Sequence, residues 1–291
     1  MTYRKIRLGL AMWSHSSWQK SIFGSRKKHS QRLERYAQYF DTVEGNTTFY
    51  ALPSTKTVKN WDLATPDGFR FTFKLPMAIT HHGFLAQKKD ALLRFLDRMM
   101  PLSSKLGMWS LQLPARFSPH RLQELAIFLD FFPRQPPTSI GIEVRHPLFF
   151  SKGEEEREFN QWLISKSLNR IIVDSRPIFS FVSASPELTE VKKRKPRVPV
   201  HAIATASQPV VRFIGLDNPA ENDVFLVPWM KKLSTWTNEK KSPYIFIHTV
   251  NNQFAPELAY HFYDRLSDSL QLPPRPQLLS DAASRFQPSL F

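Results

Sequence analysis

A single unit recurs along this chain and limits the folds open to it: a short apolar segment, polar at its carboxyl end, is followed by a longer amphipathic segment. In the stretch 41–53, DTVEGNTTFYALP, a strand pattern leads to Glu44, Asn46 and two threonines before Pro53 forms a turn. The same pattern predicts eight strands along the chain. The predicted strands are residues 6–12, 42–46, 69–75, 108–113, 140–145, 170–174, 210–215 and 244–249.

The segments between these strands have the periodicity of helices. Leu33, Tyr36, Ala37 and Phe40 form one apolar stripe, and Ser54 is a predicted N-cap of the next helix. Alternating strands and helices predict an α/β fold, a single parallel (β/α)₈ barrel of the TIM type, with a doubly wound open sheet as the alternative. No G-x-G-x-x-G follows a predicted strand, which disfavours a dinucleotide-binding open sheet.

The length and composition favour one barrel domain in a reducing compartment. The 291 residues are 42% apolar, enough for one large core, and we predict a barrel over residues 1–272 with a loosely ordered tail over 273–291, rich in Pro and Ser. The sequence has no Cys, which excludes disulfides and fits a cytoplasmic protein. We predict no export signal and no membrane partner, because no uncharged apolar stretch reaches the ~20 residues that span a bilayer.

The chain is strongly basic. Its 40 Lys and Arg against 25 Asp and Glu give a formal net charge of +15, so nucleic acid is the expected partner, with an ordinary basic surface as the alternative. A basic run, KKRKPR, covers residues 192–197. Two interpretations of this run stay open: solvated surface, or direct contact with phosphate.

Polar side chains occupy one phase of the predicted strands. Because side chains alternate between the two faces of a strand, and the apolar phase suits the helices outside, the polar phase is predicted to point into the barrel near the carboxyl ends of the strands. Active sites of such barrels lie at that end. The predicted inward set is Glu44, Asn46, Lys74, Gln112, Glu143, Arg145, Asp174, Arg212 and His248.

These residue types suggest particular roles. Glu44, Glu143 and Asp174 are the catalytic candidates, as acids or bases or as ligands of a divalent cation. The candidates for anion binding are Lys74, Arg145 and Arg212. No H-E-x-x-H or other tight ligand spacing supports a metal, and the cofactor stays open. A stabilising ion-pair network without activity is the alternative. The predicted lining residues are Trp13, Asn46, Tyr50, His81, Gln112 and His248.

Several runs resemble a bacterial family called domain of unknown function 72. They include GLAMWSHSSW, VEGNTTFYALP, RFTFKLP, LQLPARF, GIEVRHPLFF and KKRKPRVPVHA, in order from Gly9 towards the carboxyl terminus. The resemblance implies a TIM-type barrel and carries no established activity. Met12 stands where the wider family has the second Gly of a G-T-S-G-W motif.

The last five residues, QPSLF, look like the peptide with which bacterial replication and repair proteins bind the DNA sliding clamp. In such a peptide, Leu290 and Phe291 would enter an apolar pocket while Gln287 makes polar contacts, and here Pro288 replaces the commoner Leu. The resemblance implies the clamp as a partner.

These observations support three hypotheses of function. The first is a nucleic-acid-associated phosphodiesterase or repair-type protein, that is, a hydrolase acting on phosphate esters. The second is a sugar or phosphosugar enzyme, isomerase-like or a hydrolase. The third is a non-catalytic adaptor that works through its tail.

Overall fold

A closed barrel of eight parallel strands forms the centre of the protein, which confirms the predicted (β/α)₈ architecture. The computed structural model describes residues 6–24, 31–133, 139–181, 186–270 and 272–280. Each strand pairs with the next along the chain, and the last pairs with the first. The strands are β1 (Arg7–Leu10), β2 (Thr42–Gly45), β3 (Arg70–Lys74), β4 (Leu106–Gln112), β5 (Ile140–Glu143), β6 (Asn169–Asp174), β7 (Val210–Ile214) and β8 (Tyr244–His248).

Helices connect the strands and surround the barrel. The α-helices are α1 (Arg32–Tyr39), α2 (Thr47–Tyr50), α3 (Thr55–Leu63), α4 (Met77–Thr80), α5 (Lys89–Met99), α6 (Leu122–Leu129), α7 (Glu154–Ser165), α8 (Arg176–Ser180), α9 (Pro186–Arg194), α10 (Asp223–Asn238) and α11 (Ala255–Leu270). Short 3₁₀ turns cover Ser16–Gln19, Leu85–Gln87, Met100–Lys105, Pro119–Arg121, Pro147–Phe150 and Pro219–Asn222. Within the connection from β6 to β7, where the sequence pattern is irregular, α8 and α9 are short and precede an extended segment.

Local sequence signals account for the helices that were predicted. The stripe of α1 is buried at Leu33 and Tyr36, and the Tyr36 hydroxyl accepts a hydrogen bond from the amide of Leu10 in β1 (2.8 Å). The Ser54 hydroxyl accepts a hydrogen bond from the amide of Thr57 (3.1 Å), which confirms the predicted N-cap of α3. The periodic apolar face therefore sets which side of each helix meets the barrel.

The two faces of the strands bury different layers. On the outward face, the ring of Phe73 stacks on Trp61 of α3 (5.5 Å between centroids), and Trp109 packs edge-on against Phe95 of α5 (5.2 Å). An apolar cluster fills the inside of the barrel away from the carboxyl ends: Met108, Ile171, Val210, Tyr244 and Phe246. The barrel is therefore a packed core, and the polar layer lies above it.

The segment 272–280 packs against the barrel. Leu278 is 1% exposed, and the hydroxyls of Tyr260 and Tyr263 in α11 donate hydrogen bonds to the carbonyls of Pro276 (2.6 Å) and Pro273 (2.7 Å). These contacts belong to the first part of the predicted tail, residues 273–291. The rest of that tail, with the predicted clamp-binding residues Gln287, Leu290 and Phe291, lies outside the described residues.

None of the described helices combines the length and the apolar character that crossing a membrane requires. The cytoplasmic location stays a prediction.

The close approach of β1 and β2 requires glycine at position 9. A Cβ atom on Gly9 would lie 2.2 Å from the carbonyl oxygen of Thr42, a backbone atom of the neighbouring strand, whereas a Cβ on Gly68 would meet nothing within 4 Å. We expect Gly9→Ala to lower the free energy of unfolding by about 1–3 kcal/mol, because the two strands must separate. Urea unfolding of Gly9→Ala beside Gly68→Ala measures this, and equal stability of the two variants would contradict it.

Candidate anion-binding site

A buried arginine joins two carboxylates at the mouth, the end of the barrel where the strands have their carboxyl ends. Arg212 of β7 lies with its Nε 2.6 Å from Oε1 of Glu44 on β2, and its Nη1 donates to Oε2 of Glu143 on β5 (2.7 Å). The Arg212 side chain is 6% exposed, that of Glu44 2% and that of Glu143 0%. Three distant strands thus contribute to one buried ion-pair system.

Further donors occupy the remaining carboxylate oxygens. Arg145 donates twice to Oε1 of Glu143 (2.8 and 2.6 Å), and Asn46 donates to Oε2 of Glu44 (2.9 Å), near which Nε2 of His248 lies at 3.4 Å. Burial alone would raise the pKa of Glu143, but Arg145 and Arg212 beside it lower this pKa to about 2. Both carboxylates are therefore ionised and engaged. We call Glu44, Glu143, Arg145 and Arg212 the Arg212 cluster.

Lys74 lies beside this cluster without a carboxylate partner of its own. It ends β3, its Nζ donates to Oε1 of Gln112 on β4 (2.9 Å), and it lies 5.9 Å from the centre of the Phe49 ring. Lys74 is 6% exposed. Burial, and secondly the charge of Arg212, lowers the pKa of Lys74 to about 8.

A second lysine reaches the same place from a different part of the chain. Lys195 directly follows α9, and burial, then Arg212, lowers its pKa to about 8, while Glu44 and Glu143 act in the opposite direction. Its ammonium group therefore lies within electrostatic range of the Arg212 cluster, although it forms no ion pair within the described residues. We refer to the Arg212 cluster together with Lys74 and Lys195 as the mouth site.

The mouth site has more positive than negative charge. Four cationic side chains face the carboxylates of Glu44 and Glu143, so two positive charges are uncompensated among the residues that the structure describes. Burial lowers the pKa of His248 to about 3 and that of His81 to about 4, so both rings are neutral at pH 7. A buried surplus of positive charge is the electrostatic condition for binding an anion.

Some buried polar atoms at this level make no hydrogen bond to any described residue. They include Oγ of Ser110, which pairs in register with Lys74, and Oδ1 of Asn46, whose amide nitrogen is bound to Ala11 and Glu44. Buried polar atoms are normally hydrogen-bonded, so atoms left over at a site indicate where a polar ligand can bind.

The structure brings most of the predicted inward residues together. As predicted, and while their neighbours on each strand point outward, five of them converge with their side chains inside the barrel: Glu44, Lys74, Glu143, Arg145 and Arg212. The predicted lining residues Asn46, Gln112 and His248 contact them. Their functional roles stay predictions.

Asp174 does not join them, and its predicted inward direction is wrong. Its carboxylate accepts hydrogen bonds from Nε1 of Trp229 in α10 (2.7 Å) and from Nε and Nη2 of Arg176 (2.9 and 2.7 Å). The pairing of β6 with β7 sets Val173 level with Arg212, so Val173 takes the inward position and Asp174 faces the helices.

The predicted aromatic and histidine lining residues lie at the edge or outside. Trp13 packs edge-on against Trp61 (5.2 Å) and Phe71 on the helix-facing side, so it does not line the mouth. Tyr50 is 78% exposed and touches the ring of Phe49, while His81 packs edge-on against the same ring (5.2 Å). The aromatic ring over which Nζ of Lys74 lies is that of Phe49 (5.9 Å).

Sequence reasoning missed Lys195. It belongs to the basic run 192–197, whose members have no periodic pattern that distinguishes one from another. Its neighbours Lys193 and Arg194 pair with Glu190 on the exposed side of α9. Only the path of the chain after α9 brings Lys195 to the barrel.

Among the described residues, no group of three or more His, Asp or Glu is arranged to hold a metal ion. The candidate ligands Glu44 and Glu143 are instead bound by arginine. Their oxygens would have to exchange these partners to ligate a divalent cation.

The geometry defines a class: a parallel (β/α)₈ barrel with a buried site of net positive charge at the carboxyl ends of its strands. The sequence profile of the family described as "Protein of unknown function DUF72" matches residues 7–280. The chain belongs to this family, as its motifs indicated.

Relatives and solved structures agree with this assignment. The chain is 41% identical over 286 residues to the UPF0759 protein YecE of Escherichia coli, covering 98% of this chain and 100% of YecE. It is 28% identical over 118 residues to the UPF0759 protein YunF of Bacillus subtilis, covering 38% of this chain and 41% of YunF.

The crystal structure of a DUF72 family protein from Enterococcus faecalis matches with a TM-score of 0.70 at 21% identity, covering 94% of this chain and 100% of that one. A DUF72 family protein from Thermotoga maritima matches with a TM-score of 0.67 at 20% identity, covering 90% and 99%. At these identities the two structures support the fold alone.

Removing the central arginine should destabilise the protein in a pH-dependent way. We expect Arg212→Met to lower the free energy of unfolding by about 3–5 kcal/mol at pH 7, because Glu44 and Glu143 remain buried and lose a counter-ion. In the wild type, the lowered pKa of Glu143, about 2, contributes stability above pH 4.5 that is lost as the pH falls through 2. The difference between variant and wild type should therefore shrink below pH 5.

Urea unfolding at pH 7, 5 and 4 measures this effect. The control is Arg157→Met, since Arg157 and Glu154 form an exposed ion pair at 3.6 Å with side chains 65% and 73% exposed. Such a pair contributes less than about 1 kcal/mol. Equal losses in the two variants would show that the Arg212 cluster is not the buried network described here.

Proposed function

We propose that this protein binds a small phosphorylated, polyhydroxylated molecule of the phosphosugar class at the mouth site. The observation that carries the proposal is the charge surplus: Lys74 and Lys195 lie beside a cluster whose arginines and carboxylates already compensate one another. Buried Lys74 and half-buried Lys195, two ammonium groups without carboxylate partners among the described residues, match the charge of a phosphate. The ligand must be small, because the side chains of Arg212, Glu44 and Glu143 are at most 6% exposed.

Each part of the site has a role in this proposal. Lys74 and Lys195 contact the phosphate as point charges, and Arg212 holds Glu44 and Glu143 in place. Oγ of Ser110 and Oδ1 of Asn46 are available for hydrogen bonds to ligand hydroxyl groups. The Phe49 ring beside Lys74 supplies an apolar wall, as sugar-binding sites commonly use.

Lys74 is the group best suited to proton transfer in such a site. With a pKa of about 8, the Lys74 side chain is neutral in roughly one tenth of the protein molecules at pH 7. Acid–base catalysis needs a group whose pKa is near the working pH. Glu44 and Glu143 have lowered pKa values and engaged oxygens, so they support the proposal as counter-ions. A direct catalytic role for either carboxylate stays a prediction.

A panel of sugar phosphates tests the proposal by thermal shift and calorimetry. A ligand present at 100 times its Kd adds roughly 2.7 kcal/mol to the free energy of unfolding. We expect Lys74→Met and Lys195→Met each to weaken binding at least tenfold, since a hydrogen bond to a charged group contributes about 1.5–3 kcal/mol. Affinity should also fall as the pH rises through 8, where both lysines lose their protons.

The matched control is Lys193→Met, because Lys193 is exposed and paired with Glu190 at 2.7 Å. This variant should bind like the wild type. The corresponding unphosphorylated sugars should bind at least tenfold more weakly than the phosphates. If no sugar phosphate stabilises the wild-type protein, or if Lys193→Met loses as much affinity as Lys195→Met, the proposal fails.

The second candidate function is association with nucleic acid, as a phosphodiesterase or repair-type protein. The observation that favours it is the position of α9, whose end carries Lys192, Lys193 and Arg194 directly before Lys195. A basic rim next to an anion site suits a polynucleotide chain with one phosphate at the mouth. Recruitment by the sliding clamp through Gln287, Leu290 and Phe291 is part of this candidate.

Salt dependence tests the second candidate. We expect a fluorescent single-stranded oligonucleotide to bind at 50 mM salt and to lose affinity steeply towards 200 mM, because binding releases counter-ions. Replacing Lys192, Lys193 and Arg194 together by Ala should reduce the salt slope without changing binding of sugar phosphates. Absence of binding at low salt, or affinity independent of salt, would exclude this function.

A further inference from the structure

A cavity of about 360 Å³, lined in part by Ser175 after β6 and by Arg197 after α9, takes no part in the function proposed above. Ser175 directly follows the carboxyl end of β6, so the cavity opens at the same end of the barrel as the mouth. The cavity has cationic, hydroxyl and apolar walls, which include Ser175, Arg176, Phe179, Ser180, Arg197 and Pro199.

The segment after α9 connects the cavity to the mouth site. Lys195 lies within electrostatic range of the Arg212 cluster, and Arg197, two residues later, lies over the ring of Phe179, a residue of the cavity wall, at 5.5 Å. Because consecutive Cα atoms are about 3.8 Å apart, the Cα atoms of Lys195 and Arg197 are less than about 8 Å apart. One short segment thus contributes a cation to each of two adjacent sites.

The cavity wall carries a positive charge, that of Arg197, which no carboxylate of the described residues compensates. The Nε and Nη2 atoms of Arg176 donate hydrogen bonds to the carboxylate of Asp174, so the charges of these two residues compensate one another. Arg197 is exposed and forms no ion pair within the described residues, and its guanidinium lies over the ring of Phe179. The hydroxyl of Ser175 donates to the carbonyl of Pro196 (2.7 Å), which fixes the segment that carries Arg197.

We propose that this cavity is a second phosphate subsite, so that the natural ligand carries two phosphate groups, one at the mouth site and one held by Arg197. The inference rests on the proposed function and specifies its ligand as a sugar bisphosphate. Arginine suits this role because its fork of N–H donors binds a phosphate through two oxygens at once. The Ser180 hydroxyl on the cavity wall is a further donor.

The test compares ligands that differ by one phosphate. Calorimetry with fructose 6-phosphate and fructose 1,6-bisphosphate should show at least tenfold tighter binding of the bisphosphate to the wild-type protein. Arg197→Gln should lose this gain and leave the affinity for the monophosphate within about twofold. The control is Arg194→Gln, which removes the same charge from a side chain that is 80% exposed and pairs with Glu190 at 3.7 Å, and which should keep the full gain.

The outcomes separate this inference from the proposed function. If both ligands bind the wild type equally, or if Arg197→Gln keeps the gain, the second subsite is refuted while the proposed function stands. If Arg194→Gln loses the gain as well, the effect is general electrostatic attraction and the subsite is again refuted. If neither ligand binds, the assignment of a fructose bisphosphate is refuted, and the proposed function fails with it if no other sugar phosphate of the panel stabilises the protein.

Discussion

The burial of Arg212 between Glu44 and Glu143 is the constraint on which the mouth of this barrel depends. An uncompensated charge at this depth would cost several kcal/mol, so each member requires the others within hydrogen-bond distance. The pairing fixes β2, β5 and β7 relative to one another, across the barrel and over most of the chain. Arg212 and Arg145 together compensate both carboxylates, which leaves Lys74 and Lys195 as the charges available to a ligand.

This arrangement separates a structural role from a binding role within one polar layer. The arginines and glutamates compensate each other, whereas the lysines approach from β3 and from the segment after α9 and remain without carboxylate partners in the described chain. The same segment leads to Arg197 and the neighbouring cavity. The residues of the basic run therefore differ in their surroundings. Lys193 and Arg194 are exposed and pair with Glu190, Lys195 is half-buried near the Arg212 cluster, and Arg197, although exposed, lies over the Phe179 ring at the neighbouring cavity.

Much of the fold and of the site was predictable, and the exceptions have physical causes. The inward direction of Lys74 and Arg212 follows from alternation, because their neighbours Phe73 and Phe213 are apolar and suit the helix layer. Asp174 departs from this alternation, because Arg170 and Asp174 share a phase in which both side chains find hydrogen-bond partners outside the barrel, on α7 and α10. Trp13 was expected at the mouth because it follows β1, but its ring packs edge-on against Trp61 of α3, on the helix-facing side of the sheet.

By itself the sequence determined the alternation of strands and helices, the barrel, the polar phase of most strands and the family, because these depend on periodicities of two and 3.6 residues that are local to each segment. Only the tertiary structure decided that Asp174 faces outward, that Lys195 enters the mouth site and that Arg197 borders a second cavity. The reason is that these positions depend on strand register and on the path of a long connection, which are set by contacts between residues far apart in the chain.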